Sequence, residues 1–499
     1  YTQIANKMEL HSLSILNNIS ELLSYQKDAP MLFSSGLFWV LFLLFIPMYA
    51  MLKNRRWQMI TFVVAFSLYF YYKSSGFFFL LLIGTSLLDW ILSHIIIRFN
   101  SQFARKLCVT ISIICSIGIL CYFKYANFFL WNWNQMVEWN FQPLDVILPV
   151  GISFYTFQSI SYIVDVYKER VAPTKTWLEY LFFLSFFPAL VAGPIVRADY
   201  FLPQVRQNNR ATRNDIYLGF WLILLGIIKK AIIADYIAQY NDLIFANPTG
   251  YTGFESLMGV IGYTMQIYCD FSGYSDMAIG IALIMGFKLS KNFDFPYKSK
   301  NLTEFWRRWH ISLSSWLRDY IYIPLGGNRK GTFRTYLNNF LTMLIGGLWH
   351  GADWKFVFWG AMHGVGLAIH KAFKPLLDKI PNTWLVKAIS WSITMLVVSL
   401  LWVFFRADSW QDSLLIIQNI FVDFHPDYIP VFATVRYIWI IMMAVIIISH
   451  SLPQRWYDAM ANWFVKSPWI AKLAIFVVVV QLVIQFMSEE VTPFIYFQF

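Results

Sequence analysis

Two histidines carry the most usable chemistry in this chain. His310 stands in Trp306-Arg307-Arg308-Trp309-His310, and His350 in Gly346-Gly347-Leu348-Trp349-His350-Gly351. An imidazole titrates near neutrality, so it can take the proton of a hydroxyl that is about to attack a carbonyl. His350 lies where two apolar segments meet. Gly346, Gly347 and Gly351 remove bulk there and let backbone or ligand approach closely. The same position also suits a histidine that only hydrogen-bonds a carbonyl and locks a helix junction. His310, on an aromatic and basic stretch, has a structural reading as well. His363 and His370 are seven residues apart. They lack the i, i+4 spacing of a helical metal pair, and there is no H-E-x-x-H, so no metal is expected. Cys108, Cys115, Cys121 and Cys269 lie in apolar segments without C-x-x-C spacing, which excludes a zinc or disulfide framework. G-x-S-x-G, a Walker loop and G-x-G-x-x-G are all absent from the sequence. An enzyme built on this chain would move a group between two bound substrates rather than park it on a serine.

The elements that must position these histidines are membrane helices. Of the 499 residues, 58% are hydrophobic and 13% charged, against roughly 25% charged in a soluble domain. The 22 Trp and 28 Tyr suit a protein with much interfacial surface in contact with membrane lipids. A net charge of +11 could point to nucleic acid. The basic residues sit in short loops between apolar runs, however, and so report topology and anionic headgroups; no nucleic-acid partner is expected. A helical span needs about 20 mostly apolar residues. Candidates are roughly 32–52, 57–72, 77–97, 107–123, 147–166, 254–287, 336–350, 354–373, 385–405, 432–451 and 469–487.

Clustered Lys and Arg should hold loops 53–56, 98–106, 168–175, 197–213 and 288–335 in the cytoplasm, with the N-terminus outside. Leu178 to Val196 is flanked by two such loops and interrupted by Pro188, Gly193 and Pro194, so it reads as re-entrant. Ile216 to Ile228 is short for a span and runs into Lys229-Lys230, which predicts an interfacial or partly inserted helix. Residues 254–287 are long for one straight span, and Tyr268-Cys269-Asp270-Phe271-Ser272-Gly273 should kink them, with Asp270 capping the break. Trp306, Trp309, Leu313, Trp316, Leu317 and Tyr320 recur at helical spacing and predict an amphipathic helix from Glu304 to Tyr322 at the membrane surface. Gly326-Gly327-Asn328 should end it. Residues 288–334 hold ten Lys/Arg against Asp294, Glu304 and Asp319. No tandem repeat is visible. The chain opens on Tyr1, no cleavable signal peptide is expected, and residues 1–30 read as a polar extension before one domain, 31–499.

Thr303-Glu304-Phe305-Trp306-Arg307-Arg308-Trp309-His310-Ile311-Ser312-Leu313-Ser314, with Gly346-Gly347-Leu348-Trp349-His350-Gly351, resembles the membrane-bound O-acyltransferase superfamily. Asn292-Phe293, Pro296-Tyr297, Trp316-Leu317-Arg318-Asp319-Tyr320, Leu325-Gly326-Gly327-Asn328-Arg329, Ala192-Gly193-Pro194-Ile195-Val196-Arg197 and Asp270 to Gly280 extend the match. Within the superfamily the chain looks most like the alginate O-acetyltransferase (AlgI) branch. Met31-Leu32-Phe33-Ser34-Ser35 and Tyr496-Phe497-Gln498-Phe499 look like that branch's ends, so the resemblance covers 31–499.

The resemblance implies an all-α polytopic membrane protein, a ring of about 11 tilted helices with re-entrant and interfacial helices around a central passage. It marks His350 and His310 as the family's two histidines, His350 being the usual catalytic candidate. Candidate substrate contacts on the matched motifs are Trp306, Arg307, Arg308, Trp309, Arg318, Asn328, Arg329 and Trp349. The implied activity is O-acetyl transfer in the bacterial inner membrane, with no permanently bound cofactor. The implied donor is acetyl-CoA, whose phosphates the basic block could hold. The acetyl group would pass, through an extracytoplasmic SGNH-type or AlgJ/AlgX-like acetyltransferase, to an exported polysaccharide or to peptidoglycan. D-alanyl transfer to teichoic acids shares the two histidine motifs and is the alternative, with a poorer match at Ile323-Pro324-Leu325-Gly326-Gly327-Asn328-Arg329. A transporter or a non-catalytic scaffold are the readings from other classes. The first commonly shows two related halves, which this sequence lacks; the second would tolerate loss of His350.

Overall fold

The computed structural model describes residues 20–27, 30–207 and 210–486. Residues 1–19 of the polar extension and the terminal Tyr496-Phe497-Gln498-Phe499 motif lie outside them. No strand occurs among the described residues, and helix occupies most of each of the eleven apolar segments. Among the described residues, five helical runs are long and apolar enough to cross a membrane: Arg56–Arg98, Gln102–Val137, Arg213–Ala246, Trp384–Arg406 and Trp469–Phe486. A sixth would be Tyr428–Val435 with Tyr437–Ser451, which are bent by 84°. The chain is a multi-pass membrane protein. It divides into two compact units: residues 1–123, 146–191 and 197–208 form one, and residues 124–145, 192–196 and 209–499 the other.

In the first unit, two buried carboxylates meet polar partners, as a dry interior demands. Asp89 accepts hydrogen bonds from Ser112 Oγ (2.6 Å), Tyr180 OH (2.9 Å) and Ser159 Oγ. Glu179 is paired with Arg56 and lies 4.0 Å from Arg206. Residues 22–25, the end of the polar extension, are tied to the helix Arg56–Ser75. Lys73 Nζ donates to the carbonyls of Leu22 and Ser24, and Tyr69 OH to that of Leu23. The proline-broken segment folds as Trp177–Ser185 and Phe187–Leu190, with the break at Phe186 and Pro188 in the first turn of the second piece. A helix rises 1.5 Å per residue, so neither piece could span a hydrocarbon layer about 30 Å thick. Every residue from Glu179 to Val196 is buried.

The second unit corrects three expectations. Ile216 to Ile228 is not a short interfacial piece: it belongs to the 34-residue run Arg213–Ala246. Lys229 and Lys230 do not end that run, because acids neutralise them inside it. Lys229 pairs with Asp276 at 2.7 Å, and Lys230 with Asp235 at 2.7 Å and Asp270 at 2.5 Å. Asp270 is therefore an ion-pair partner, not a cap. Second, Gly253–Ile284 is one helix of 32 residues, unbroken at Tyr268–Gly273. Its glycines serve close packing instead of a kink. A Cβ on Gly226 would lie 2.5 Å from the Gly273 carbonyl oxygen, and one on Gly219 would lie 2.6 Å from that of Gly280. The crossed order of these pairs makes the two helices antiparallel, with backbones in contact.

Third, Glu304 to Tyr322 is not one surface helix. It is Leu302–Arg308, then Ile311–Leu317, then a wider turn over Arg318–Tyr322. The interruption falls at His310, whose φ of 42° is left-handed. Trp306, Trp309, Leu313, Trp316 and Leu317 are all buried, so the apolar stripe faces protein rather than headgroups. Gly326 and Gly327, at φ of 112° and 55°, form the expected turn, and Asn338 Nδ2 holds it through the Gly327 carbonyl (2.9 Å).

Candidate active site

His350 is the last residue of the helix Thr332–His350. Its partner helix, Trp354–Leu377, returns alongside. Gly347 and Gly360 let the two backbones touch: a Cβ on Gly347 would lie 2.3 Å from the Phe356 carbonyl oxygen. This contact explains the glycine pair before His350. The glycines remove bulk for a helix, and the imidazole one turn further on takes its place from that packing. Three aromatic rings surround it: Trp349, Trp359 and Phe405, with centroids 4.9, 5.0 and 5.1 Å away.

His310 reaches the same cluster from the other motif. Its ring lies 6.0 Å from Trp349 and 4.7 Å from Phe271. Trp349 therefore separates the two imidazoles by no more than two ring-to-ring steps. Both histidines are buried, at 0% exposure for His310 and 3% for His350. A non-glycine residue in the left-handed region costs roughly 1–2 kcal/mol. Asn292 holds His310 there. Its Oδ1 lies 3.1 Å from His310 Nδ1 and accepts from Ser312 Oγ (2.8 Å) and Ser312 N–H (3.3 Å), while its carbonyl accepts from Ile311 N–H (2.9 Å). A backbone N–H can only donate, so the atom facing Ser312 is the amide oxygen. His310 Nδ1 must then carry the proton, and the basic lone pair sits on Nε2. Ser312 Oγ also accepts from Ile195 N–H (3.1 Å), which brings the Ala192–Val196 motif to this site.

His363 joins the cluster although its sequence context singled out nothing. It accepts from Trp306 Nε1 at 3.2 Å and packs 4.7 Å from Trp359. Trp309 is walled in by Phe293, Phe305 and Trp402, at 5.1, 5.6 and 5.0 Å. The structure thus gathers His310, His350, Trp306, Trp309 and Trp349 into one aromatic core. It leaves Arg307, Arg318, Asn328 and Arg329 exposed, away from that core. Arg318 pairs with Asp319 at 2.8 Å. Arg308 is spent on Glu304 (3.0 Å) and Asp294 (3.5 Å). Burial alone would raise the Asp294 carboxyl, but the hydrogen bond from Lys291 and the charges of Lys291, Arg308 and Lys298 hold it below its ordinary value.

Two residues escaped the sequence reading. Asn292 was visible only as part of a matched motif, and its role appears once the chain brings it back to His310. Lys124 donates to the carbonyls of Trp349 and His350, both at 2.8 Å. It stands just past the apolar segment 107–123, where a lysine inside a membrane helix needs a partner and is a signal in itself.

Asn292→Ala should lower stability by about 1–3 kcal/mol, the cost of stranding buried polar groups. It should also cut acyl transfer about tenfold, a loss of 1.4 kcal/mol at the barrier. Thermal unfolding of the purified protein and initial transfer rates check this. A variant that matches wild type in both would overturn the support role of Asn292.

Comparison with known proteins places the cluster in context. The membrane-bound O-acyltransferase (MBOAT) family model matches residues 174–407, a range that holds both histidines. The probable alginate O-acetylase AlgI of Pseudomonas aeruginosa is 42% identical over 390 residues, covering 76% of this chain and 73% of that protein. The peptidoglycan O-acetyltransferase of Helicobacter pylori is 38% identical over 404 residues, 76% of each chain. The teichoic acid D-alanyltransferase of Bacillus subtilis is 29% identical over 259 residues, 49% of this chain and 64% of its own.

Proposed function

Because the chain belongs to the membrane-bound O-acyltransferase family and is an acyltransferase, we propose that it moves an acetyl group from cytoplasmic acetyl-CoA toward hydroxyls of an exported polysaccharide or of peptidoglycan. The observation that carries this reading is the buried pair His350 and His310, one Trp ring apart. The acetyl relatives match 76% of the chain at 38–42% identity, and the D-alanyl relative 49% at 29%, which favours acetyl over D-alanyl.

In this mechanism His350 takes the proton of an acceptor hydroxyl. The hydroxyl oxygen attacks the thioester carbonyl, and the tetrahedral intermediate expels the CoA thiolate. The imidazolium returns its proton to that thiolate, so the enzyme ends unchanged. The surrounding Trp and Phe rings exclude water, which would otherwise hydrolyse the thioester. Arg307, Arg318, Asn328 and Arg329, exposed on the basic block, are offered as the groups that meet the donor phosphates. This reading puts the chain in the bacterial inner membrane with its N-terminus outside, and has donor and acceptor enter from opposite sides. An extracytoplasmic acetyltransferase of the SGNH type is the proposed receiver.

Inverted membrane vesicles fed acetyl-CoA labelled in the acetyl group test the donor. Alkali-labile label should accumulate in the polymer and membrane-protein fractions, and should drop to background in vesicles without this chain. Equal labelling with and without the chain would sink the acetyl-CoA assignment. Labelling from a D-alanyl carrier thioester instead would transfer the case to D-alanylation.

A further inference from the structure

The last four carbonyls of a helix lack partners within it and carry the negative end of its dipole. For the helix Thr332–His350 those groups include the carbonyls of Leu348, Trp349 and His350. All three are met by one dipeptide from far away in the chain. Lys124 Nζ donates to Trp349 O and His350 O, and Tyr125 OH donates to Leu348 O at 2.6 Å. The dipeptide lies in a wider helical turn, Cys121–Tyr125, which swings both side chains toward the helix end. A wider turn inside a helix is a local distortion often found at functional sites.

We infer that Lys124 is a positioning residue for acyl transfer, acting with Tyr125 to clamp the helix end and so hold the His350 imidazole where it can take a hydroxyl proton. The inference rests on the reading of His350 as the general base. Three arguments support it. An ammonium at a helix C-terminus is favoured by charge as well as by hydrogen bonding. A cation within an apolar helix is expensive unless it meets such partners, so the site is built and not incidental. Finally, Gly351 follows at once in extended conformation, with φ of −161°, so the helical turn does not continue past His350. The carbonyls that a further turn would have paired are met by Lys124 and Tyr125 instead.

The test uses full-length protein in its host membrane, with the initial rate of base-labile ester formation on the cell-surface polymer per folded copy. Lys124→Met keeps the length of the side chain and removes its charge. It should reduce the rate about 10²-fold, the effect expected of a shift of about 1 Å in a catalytic group. Lys124→Arg restores a cation and should recover at least about tenfold of that loss, which a role in bulk packing alone would not produce. Tyr125→Phe removes a single hydroxyl and should slow transfer about threefold. If Lys124→Met does not fold, Tyr125→Phe decides: a wild-type rate in the folded variant overturns the clamp. Wild-type rate in Lys124→Met overturns it directly. Full activity in His350→Ala would instead remove the catalytic reading on which the clamp depends. An inactive His350→Ala beside a fully active Lys124→Met would leave that reading standing and reject the clamp alone.

Discussion

His350→Ala should abolish measurable acyl transfer while the protein still inserts and folds. Loss of a general base alone lowers the rate about 10²–10⁴-fold. The side chain is enclosed by Trp349, Trp359 and Phe405, so alanine also leaves a gap in an aromatic box. His350→Gln fills most of that gap and keeps a hydrogen-bonding group, but an amide does not accept a proton at neutral pH. Both variants should therefore lose activity, and Gln should restore whatever stability Ala loses. The measurement is ester-linked acyl groups on the cell-surface polymer, normalised to folded protein in the membrane. Wild-type acylation in either variant would end the catalytic assignment of His350.

Gly347→Ala should be nearly as damaging, though it adds one methyl group three residues from the histidine. That methyl would meet the Phe356 carbonyl oxygen at 2.3 Å and Gly360 Cα at 2.9 Å, where ordinary contact begins at 3.4 Å. Both are backbone atoms of the partner helix, so no side chain can rotate away. The helices must part by about 1 Å, which overpacking data put at about 1–3 kcal/mol. His350 moves with them, and a displacement of that size costs about 10²-fold in rate. Gly118→Ala is the control. Its helix offers nothing within 4 Å, so alanine there should leave activity alone and raise helix stability by up to about 1 kcal/mol. Gly347→Ala with normal rate and normal thermal midpoint would show that the pair can separate freely.

Much of the fold was legible because lipid is a stringent solvent. Backbone polar groups must be paired inside the segment, so a long apolar run favours helix, and helix occupies most of each of the eleven expected segments, although only five runs, or six with a bent pair, are long and apolar enough among the described residues to cross. The break near Pro188 was legible too, because proline cannot continue the helix that precedes it. Where charge was read as a boundary, the reading failed. Lys229-Lys230 looked like the end of a short helix, but Asp235, Asp270 and Asp276 neutralise the pair within a continuous one. Those acids lie up to 47 residues away, and only folding brings them in.

The two histidine motifs, the helical class and the acyltransferase chemistry were properties of the sequence by itself. The two motifs carry the resemblance that implies the acyltransferase chemistry, and burial of apolar runs follows from composition. Tertiary structure alone decided the rest. It broke the supposed surface helix at His310, because Asn292 supplies the hydrogen bonds that hold a left-handed residue in place. It turned a lone lysine, Lys124, toward the end of the helix that carries His350. It also set exposed arginines apart from buried tryptophans that sequence had grouped as one substrate surface. Each of these depends on contacts between residues 18 to 226 positions apart, and local pattern holds no information about such pairs.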